Sequence, residues 1–413
     1  MPSSTDRRFC CKSCGSELRD VFLDLGEQPL ANAFLVHADE DERRYPLTVR
    51  VCEECFLVQA DHDIPADAIF TSDYVYFSST SKSWVEHARR YAEVMIDRFG
   101  LTPGSRVVEV ASNDGYLLQH FKAAGIPVLG VEPTANTAAV ARERDIPTES
   151  AFFSAEVAAD LRKRYGPADL MAANNVLAHV PDIVGFVRGF AELLAPDGVA
   201  TFEFPHLMEM IESGKFDTVY HEHYSYLSLV AAESVFRRCG LRVFDLETLP
   251  TQGGSLRLYV CQDGSSWKET PAVEAFRARE RALGMHEMAG YRGFEPRVQK
   301  IRDAFLGFLA DAKSEGRTIA AYGAAAKGNT FLNFCGITAS DIVAVADASS
   351  AKQGKFLPGS RIPVVTPTEL AGLGPDYVLI LPWNLASEIE AQLAYLAADG
   401  TRFVTAIPRL DIH

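Results

Sequence analysis

The chain has 413 residues, which exceeds one ordinary hydrophobic core and predicts two to three domains. Apolar residues make up 47% of the chain and charged residues 23%, a composition typical of a soluble globular protein. The formal net charge of −15 argues against a nucleic-acid-binding protein, although it permits a local basic pocket for a phosphorylated small molecule. No apolar run reaches the ~20 residues of a membrane span and the N-terminus lacks a signal peptide's apolar segment, so we expect a cytoplasmic protein without membrane contact.

Cysteines are concentrated near the N-terminus, where they form two Cys-x-x-Cys pairs. Each pair offers two thiolates from one tight turn, and two such pairs are a strong zinc signature. The predicted ligands are Cys11, Cys14, Cys52 and Cys55, whereas Cys10 is out of phase with them. Four thiolates leave no open coordination position, so we expect a structural zinc. A cluster of reduced cysteines without metal is the alternative.

An aromatic segment, residues 74–80, precedes a predicted helix over residues 83–99 whose apolar positions recur at helical spacing. Tyr74 and Tyr76 in this segment either pack in an ordinary core or line a substrate pocket.

From residue 106 onwards, short apolar strands alternate with helices. The predicted strands are 107–110, 126–131, 169–173 and 198–204, and the predicted helices are 116–124 and one that begins near residue 182. This alternation indicates a parallel, doubly wound sheet that binds its ligands at the carboxyl ends of the strands.

The turn after the first of these strands, residues 109–115, has the composition of a nucleoside-binding turn without phosphate contacts. It has one glycine, and Asp114 lies where a pyrophosphate would need a close backbone approach, which argues against NAD. Glu132, about 20 residues further on, is placed to accept both ribose hydroxyls of an adenosine. An adenosine with a cationic sulfonium and an amino-acid tail therefore fits this acidic turn, and a turn that binds nothing is the alternative. The expected cofactor-binding residues are Glu109, Ser112, Asn113, Asp114, Gly115, Glu132, Asn174 and Asn175.

The segment Tyr220–Tyr224 places five titratable side chains in succession between apolar runs, a pattern that a hydrophobic core does not require. A histidine with an ordinary pKa near 6.5 is suited to act as a base. His221 and His223 alternate in an extended segment, so we expect one of them to face a pocket. Metal binding is the alternative, although the His-Glu-x-x-His spacing is absent.

The last part of the chain repeats the strand–turn–helix pattern, with a strand over 318–323 that opens into an alanine-rich turn. Lys327 supplies a point charge at this second anion-binding junction, and strands 343–347 and 377–381 continue the pattern. We expect a second Rossmann-like unit that holds the diphosphate or base of the substrate, and a purely structural duplicate is the alternative. The candidate substrate-binding residues are Tyr322, Gly323, Lys327, Asn329, Trp383 and Asn384.

These patterns predict an α/β protein of three domains. The expected division is a zinc-binding module over residues 1–70, a Rossmann-like methyl-donor domain over 71–264, connecting helices over 265–313, and a Rossmann-like domain over 314–413.

Several longer motifs extend from the first cysteine pair to the last domain. They are Leu-Gly-x-Gln-Pro-Leu-Ala-Asn (25–32), Tyr-x-Tyr-Phe-Ser-Ser (74–79), Glu-x-x-Ser-Asn-Asp-Gly (109–115), Tyr-His-Glu-His (220–223), Gln-Gly-Gly-Ser (252–255) and Tyr-Gly-Ala-Ala-Ala-Lys-Gly (322–328). With the cysteine pairs, they resemble the sugar C-methyltransferases of antibiotic deoxysugar pathways, and most of all the C-3′-methyltransferases that make nitrosugar precursors such as tetronitrose or kijanose. The resemblance implies a structural zinc, S-adenosylmethionine and a C-terminal domain that helps to hold a thymidine-diphosphate-linked 4-keto sugar.

Methylation at carbon requires a carbon nucleophile, which forms when a base removes a proton beside a ketone. We expect His223 to take the C-3′ proton, Glu222 to orient or anchor the sugar, and Tyr220 to lie near the reacting carbon. His179, beyond a strand end, is the expected donor to the keto oxygen, a role that depends largely on the resemblance. The expected catalytic residues are His223, Tyr220, Glu222, His179, Tyr74 and Tyr76.

Two other functions stay open. An O- or N-methyltransferase acting on a nucleotide sugar would not need to remove a carbon-bound proton. A non-catalytic nucleotide-sugar-binding or zinc-organised interaction protein would not need the acidic turn or the Tyr-His-Glu-His run. Three domains in one chain make a monomer sufficient for any of these functions.

Overall fold

The computed structural model describes residues 9–69 and 77–413, which contain three β-sheets surrounded by helices. The strands are β1 (Asp20–Pro29), β2 (Arg44–Val51), β3 (Val58–Ala60), β4 (Val107–Val110), β5 (Val128–Val131), β6 (Thr148–Glu149), β7 (Ala168–Asn174), β8 (Leu194–Pro205), β9 (Ser225–Tyr226), β10 (Leu241–Leu249), β11 (Ser255–Gln262), β12 (Ile319–Tyr322), β13 (Val345–Ala346), β14 (Val364–Val365), β15 (Tyr377–Ile380), β16 (Arg402–Thr405) and β17 (Asp411–Ile412). The expected site residues Tyr74 and Tyr76 lie outside the described residues.

The helices lie mostly between the strands of the second and third sheets. They are α1 (Ala66–Ile69), α2 (Lys82–Phe99), α3 (Leu118–Ala123), α4 (Ala135–Glu143), α5 (Ala155–Tyr165), α6 (Ile183–Leu193), α7 (Leu207–Ser213), α8 (Leu229–Arg238), α9 (Pro271–Ala282), α10 (Phe294–Ser314), α11 (Ala326–Phe334), α12 (Pro367–Gly372), α13 (Ala386–Gln392) and α14 (Ala394–Ala398). In the part of the chain that the structure describes, none of them combines the length and the apolar character needed to cross a membrane.

The N-terminal domain is an antiparallel sheet in the order β1-β2-β3-β9. Its cysteine pairs lie in two tight turns, one before β1 and one between β2 and β3. Each turn is followed by a residue with left-handed backbone geometry, Gly15 at φ 80° and Phe56 at φ 56°, so the chain reverses sharply. The fourth strand of the sheet, β9, comes from residues 225–226, far beyond the expected boundary at residue 70.

The second domain contains a seven-stranded sheet in the order β10-β11-β8-β7-β4-β5-β6. Strands β4 to β8 are parallel, as the alternating pattern predicts, and β11 and β10 add an antiparallel edge. Strand β10 has no counterpart among the predicted strands. It is an edge strand in which Arg242, Asp245 and Glu247 interrupt the apolar pattern.

Helix α2 begins at Lys82, one residue before the expected start, ends at Phe99 as expected, and is capped at both ends. The Ser81 hydroxyl accepts a hydrogen bond from the Trp84 amide, and Gly100 ends the helix in the left-handed conformation. Asp182 caps α6 in the same way through the Gly185 amide.

The expected connecting segment is helical, since it contains α9 and α10. Glu280 of α9 is fully buried and accepts hydrogen bonds from the amides of Leu229 and Val230 at the start of α8, at 2.6 and 2.9 Å. It also pairs with Nε2 of His206 at 3.0 Å. Backbone donors at a helix N-terminus and an imidazole thus satisfy a carboxyl group that burial alone would disfavour.

The C-terminal domain contains a six-stranded sheet in the order β14-β13-β12-β15-β16-β17, parallel except for β17. It contacts both other domains. Asn329 Nδ2 donates to the Ala31 carbonyl of the N-terminal domain at 2.8 Å, and Trp383 Nε1 donates to Asp217 Oδ2 of the second domain at 2.7 Å. The chain is therefore an α/β protein of three domains, as predicted.

Candidate functional site

The N-terminal domain contains a candidate metal centre formed by the four predicted cysteines. The sulfur atoms of Cys11, Cys14, Cys52 and Cys55 all lie within 4.8 Å of one another, and the Cys11–Cys55 and Cys14–Cys52 distances are both 3.5 Å. Tetrahedral zinc with Zn–S bonds of about 2.3 Å brings its sulfur ligands to a similar separation. Cys10 is exposed and outside this group, as predicted. The donor set therefore fits a closed structural zinc site.

A cavity of about 620 Å³ lies where the three domains meet. Asn32 of the N-terminal domain, the strand ends of the second domain, and Lys327 and Lys352 of the C-terminal domain all line it. Its volume is in the range of sites that enclose a small molecule or a cofactor.

One end of the cavity is formed by the carboxyl ends of β4, β5 and β7. Asn113, Glu132, Asn174 and Asn175 line this end, as expected for a nucleoside site. The Glu132 carboxylate accepts hydrogen bonds from the backbone amides of Asn113 and Thr134, both at 2.9 Å, which fix its direction. An acid with this support is able to accept further hydrogen bonds from ribose hydroxyls.

Four other residues expected to bind the cofactor do not line the cavity. Glu109 is buried beneath the turn, and burial raises the pKa of its carboxyl well above the usual range. Asp114 faces away, towards the Ser79 hydroxyl and Arg144. Ser112 is fully buried beside Gly130, and Gly115, at φ 78°, packs so closely on Ile146 that a Cβ atom would lie 2.4 Å from its Cδ1 atom. These residues shape the turn and do not contact the cavity.

The start of the described segment 77–80 packs on this turn. The Ser78 amide donates to Asn113 Oδ1 at 2.9 Å, and the Ser79 hydroxyl donates to Asp114 Oδ2. Two side chains of the predicted nucleoside-binding turn therefore hold the segment that precedes α2.

The Tyr-His-Glu-His run forms a turn in the middle of the cavity wall. The His223 amide donates to the Tyr220 carbonyl at 2.9 Å, so the extended conformation predicted for this segment is wrong. Tyr220, Glu222 and His223 line the cavity. His221 points the other way, where its Nε2 donates to the Pro46 carbonyl at 3.3 Å, so only one of the two histidines faces the cavity.

Hydrogen bonding determines the tautomer of His223. Its Nδ1 lies 2.8 Å from the Thr218 carbonyl oxygen, which is only an acceptor, so Nδ1 carries the proton. Burial lowers the pKa of His223 well below its usual range, with a smaller contribution from His179. The ring is therefore neutral at physiological pH, and Nε2 carries a lone pair.

His179 has the same tautomer. Its Nδ1 donates to the Glu222 carbonyl at 2.9 Å, and its ring lies 4.6 Å from the His223 ring, centroid to centroid. Burial lowers the pKa of His179 to about 4. A neutral ring protonated at Nδ1 cannot donate from Nε2, so the geometry does not favour His179 as the donor expected at a keto oxygen.

Glu222 is the acidic group of this turn. Asn32 Nδ2 donates to its Oε1 atom, and burial raises the pKa of the carboxyl to about 7. The sequence provides no local signal for this contact, because 190 residues separate the two partners.

The opposite end of the cavity is basic. Lys327, at the start of α11, donates from Nζ to Asn384 Oδ1 at 2.6 Å and lies 4.9 Å from the centre of the Trp383 ring. Burial lowers the pKa of Lys327, while Asp217 opposes that shift. Lys352 lines the same end and pairs with Asp347 at 3.3 Å, although no motif in the sequence marks it.

The other residues expected at the substrate end support the cavity and do not line it. Asn329 donates a hydrogen bond to the Ala31 carbonyl, and Trp383 donates one to Asp217. Asn384 accepts a hydrogen bond from Lys327. Tyr322 is buried at the end of β12. Gly323, at φ 89°, packs against Pro382, where a Cβ atom would lie 2.4 Å from the proline ring.

Several cavity-lining residues are not among the site residues expected from the sequence. The aromatic residues Trp84 and Phe152 lie at the donor end, and Phe152 is 49% exposed. Gln252, from the Gln-Gly-Gly-Ser motif, also reaches the cavity. The signal for Trp84 was its place on the apolar face of α2, where a core role and a cavity role look alike.

The four cysteines do not line the cavity. In the ranges 9–69 and 77–413, the four cysteines are the one group of three or more His, Cys, Asp or Glu side chains close enough to hold a metal ion. The His221–His223 run does not form such a group, so metal binding by this run has no support in the structure.

Fold and site together define a methyltransferase with a zinc-binding domain. Family models match in this order along the chain: a zinc binding domain over residues 11–70, a methyltransferase domain over 84–246, and a C-methyltransferase C-terminal domain over 250–408. The C-methyltransferase NovU of Streptomyces niveus is 39% identical over 405 residues, which cover 96% of this chain and 95% of that protein. The chain belongs to the S-adenosylmethionine-dependent C-methyltransferase family, with a structural zinc, and the family indicated by the sequence motifs is confirmed.

Solved structures show partial likeness to the chain. A SAM-dependent methyltransferase from Anabaena variabilis is 16% identical, with a TM-score of 0.37, and the match covers 48% of this chain and 96% of that one. The magnesium protoporphyrin IX methyltransferase of Synechocystis, solved with bound SAH, is 15% identical, with a TM-score of 0.35 and coverage of 43% and 83%. The family assignment rests on the sequence matches.

Proposed function

We propose that this C-methyltransferase adds a methyl group to C-3′ of a thymidine-diphosphate-linked 4-keto hexose, specifically a 3-amino-2,3,6-trideoxy sugar. The observation that carries the proposal is the arrangement of one cavity, with Glu132 at one end, Lys327 and Lys352 at the other, and His223 between them. An acidic end suits a cationic donor, and a basic end suits a diphosphate.

The donor end fits S-adenosylmethionine through the chemistry of its side chains. Glu132 would hold the ribose hydroxyls, and Asp182, Asn174 and Asn175 would face the rest of the donor. When bound, the donor supplies an electrophilic methyl group on a sulfonium.

His223 is the proposed base. Its Nε2 lone pair takes the C-3′ proton, the electron pair of that C–H bond forms the carbon–carbon double bond of an enolate, and the ketone oxygen becomes the oxyanion. The Thr218 carbonyl holds Nδ1–H and so keeps Nε2 directed as the acceptor. The resulting imidazolium is stabilised by the same hydrogen bond.

Tyr220 and Glu222 are proposed to orient the sugar. The Tyr220 ring lies 4.1 Å from the His223 ring, centroid to centroid, and this proximity supports Tyr220 as the O–H donor to the developing oxyanion. The Glu222 carboxyl lines the cavity beside them and accepts hydrogen bonds from the sugar. These contacts hold the reacting carbon against the base.

The basic end would receive the diphosphate. Lys327 and Lys352 reach this end from the N-terminal part of α11 and from the segment after β13, respectively. Amides at the start of a helix and two ammonium groups together suit a phosphate group. The domain division at residues 70, 264 and 313, the monomeric state and the cytoplasmic location stay predictions.

A product analysis tests the proposal. The protein is incubated with S-adenosylmethionine and a panel of thymidine-diphosphate-linked sugars with and without the 4-keto group, and the products are analysed by mass spectrometry. We expect a methylated product only from 4-keto sugars, together with loss of deuterium from a C-3′-deuterated substrate. Methylation that retains the deuterium would instead identify an O- or N-methyltransferase, and donor binding without turnover on any sugar would identify a binding protein.

A further inference from the structure

The motif at residues 25–32 ends at a residue that reaches the active-site cavity. Asn32 lies in the turn after β1, and its Nδ2 atom donates to Glu222 Oε1. Asn32 and Ala66 are the residues of the N-terminal domain that line the cavity along the described residues. The motif thus places the Asn32 carboxamide against the turn formed by residues 220–223.

The backbone just before Asn32 is held by two contacts. The Ala31 carbonyl accepts from Asn329 of the C-terminal domain at 2.8 Å. Pro29 is the last residue of β1 and pairs with Arg44 of β2. The position of the carboxamide therefore depends on the folded N-terminal sheet and on its contact with the C-terminal domain.

The same sheet also holds residues 224–226, which directly follow this turn. Residues 225–226, as β9, pair with β3, and the Ala60 amide donates to the Tyr224 carbonyl at 3.1 Å. Gln59 of β3 in turn donates from Nε2 to the sulfur of Cys11 at 3.2 Å. The cysteine cluster and the active-site turn are thus joined through one short strand.

We propose that Asn32 is a positioning residue for Glu222, so that the zinc-binding domain supplies a working part of the methyltransferase site. The inference rests on the proposed function of Glu222. Asn32 fixes one carboxyl oxygen and thereby turns the other towards the sugar. It also supplies the hydrogen bond that a buried carboxylate requires.

Loss of the Asn32 hydrogen bond is expected to raise the pKa of Glu222 further. Burial raises the pKa of Glu222, and the Asn32 hydrogen bond opposes that rise. The titratable groups beside Glu222 are His179, which donates to its carbonyl, its chain neighbours His221 and His223, and Tyr224, whose raised pKa has a contribution from Glu222. Loss of the Asn32 donor therefore favours the protonated form of Glu222 and weakens its role as an acceptor.

The test uses the full-length protein with zinc bound. Asn32→Asp keeps the size of the side chain but replaces the donor by an acceptor, and Asn32→Ala removes it. The matched control is Gln28→Ala, which breaks the buried Gln28–Leu25 hydrogen bond in the same motif without reaching the cavity. Turnover is measured from pH 5.5 to 9 with a thymidine-diphosphate-linked 4-keto sugar, together with zinc content and donor affinity by calorimetry.

We expect both Asn32 variants to retain one zinc per chain and to bind the donor within twofold of the unaltered protein. Their kcat should fall by about 10- to 100-fold, the usual effect of losing a hydrogen bond to a charged group. The acidic limb of the kcat/KM profile should move to higher pH, most in Asn32→Asp. Asn32→Gln, which restores a carboxamide donor, should recover part of the turnover, and Gln28→Ala should leave the profile in place.

The Glu222→Gln variant distinguishes failure of the role inferred for Asn32 from failure of the role proposed for Glu222. If Glu222→Gln loses turnover while Asn32→Asp keeps the unaltered turnover and pH profile, the positioning role of Asn32 is wrong and the proposed function stands. If Glu222→Gln keeps full turnover, the proposed role of Glu222 is wrong and the inference about Asn32 fails with it.

Discussion

Two strand–turn–helix junctions face each other across the cavity, and they are built alike. In the second domain, the Asn113 amide after β4 donates to Glu132 Oε2 beyond β5 at 2.9 Å. In the C-terminal domain, the Ala324 amide after β12 donates to Asp347 Oδ2 beyond β13 at 2.8 Å. Each turn thus holds the acidic side chain that follows the neighbouring strand.

The junctions differ in what they present to the cavity. Glu132 lines the cavity, whereas Asp347 pairs with Lys352 at 3.3 Å and accepts a hydrogen bond from the Ser349 amide at 2.8 Å. Lys352 and Lys327 line the cavity in its place. The same backbone construction therefore forms an acidic end in one domain and a basic end in the other, and a few side chains decide the charge of the ligand.

The largest expected effect is at the centre of the cavity, between the junctions. His223→Asn should lower kcat by about 10²- to 10⁴-fold, the range for loss of a general base, while donor affinity measured by calorimetry stays within twofold. The matched control is His221→Asn, which alters the neighbouring imidazole that faces Pro46. Full turnover in His223→Asn would remove this residue as the base.

A change at Glu222, also at the centre of the cavity, is expected to alter how stability depends on pH. Burial raises the pKa of Glu222 from 4.5 to about 7, so the folded protein binds the proton more tightly and its stability falls as pH rises through this range. Glu222→Gln should therefore increase the free energy of unfolding, by about 2 kcal/mol more at pH 8.5 than at pH 5.5. Urea unfolding at fixed zinc concentration measures the difference. An equal change at both pH values would contradict the raised pKa.

The acidic junction is tested by Glu132→Ala. Loss of an acceptor for the ribose hydroxyls should weaken donor binding by about 10- to 100-fold and leave the KM of the sugar unchanged. Glu143→Ala, at the exposed end of α4, is the control. A rise in the KM of the sugar without a change in donor affinity would mean that the two ends have been assigned in reverse.

The basic junction is tested by Lys327→Met, for which we expect the smallest effect because Lys352 remains. The KM of the nucleotide sugar should rise by about tenfold, with unchanged donor affinity. Lys313→Met, at the exposed end of α10, controls for the loss of one positive charge. A KM equal to that of the control would favour the alternative that the C-terminal domain is a structural duplicate.

Local patterns predicted the elements that carry their own signals. Strand β4, helix α2 and the acidic residue Glu132 were predicted because an apolar run, apolar residues at helical spacing and the distance from the turn mark them, respectively. Strand β10 was missed because charged residues interrupt an edge strand. Strand β9 was missed because two residues have no periodicity, and its partner β3 is far away in the chain.

The sequence pattern identified cavity-lining residues at strand ends and in the Tyr-His-Glu-His run. It did not identify contacts in which the direction of a side chain depends on a distant partner. Asp114 turns towards Ser79 and Arg144, and the Glu222 carbonyl sets the tautomer of His179. Lys352 lacks any local signal, since its role depends on how β13 places Asp347 beside it.

The pairing of β3 with β9 has a consequence for biosynthesis. On the ribosome, β3 emerges with one edge unpaired, and its partner follows more than 160 residues later, an interval of roughly ten to thirty seconds at ordinary elongation rates. During that time the nascent sheet exposes free amide and carbonyl groups to other chains. A fragment that ends near residue 70 would keep this open edge permanently, so we expect it to self-associate even when its cysteines are loaded with zinc.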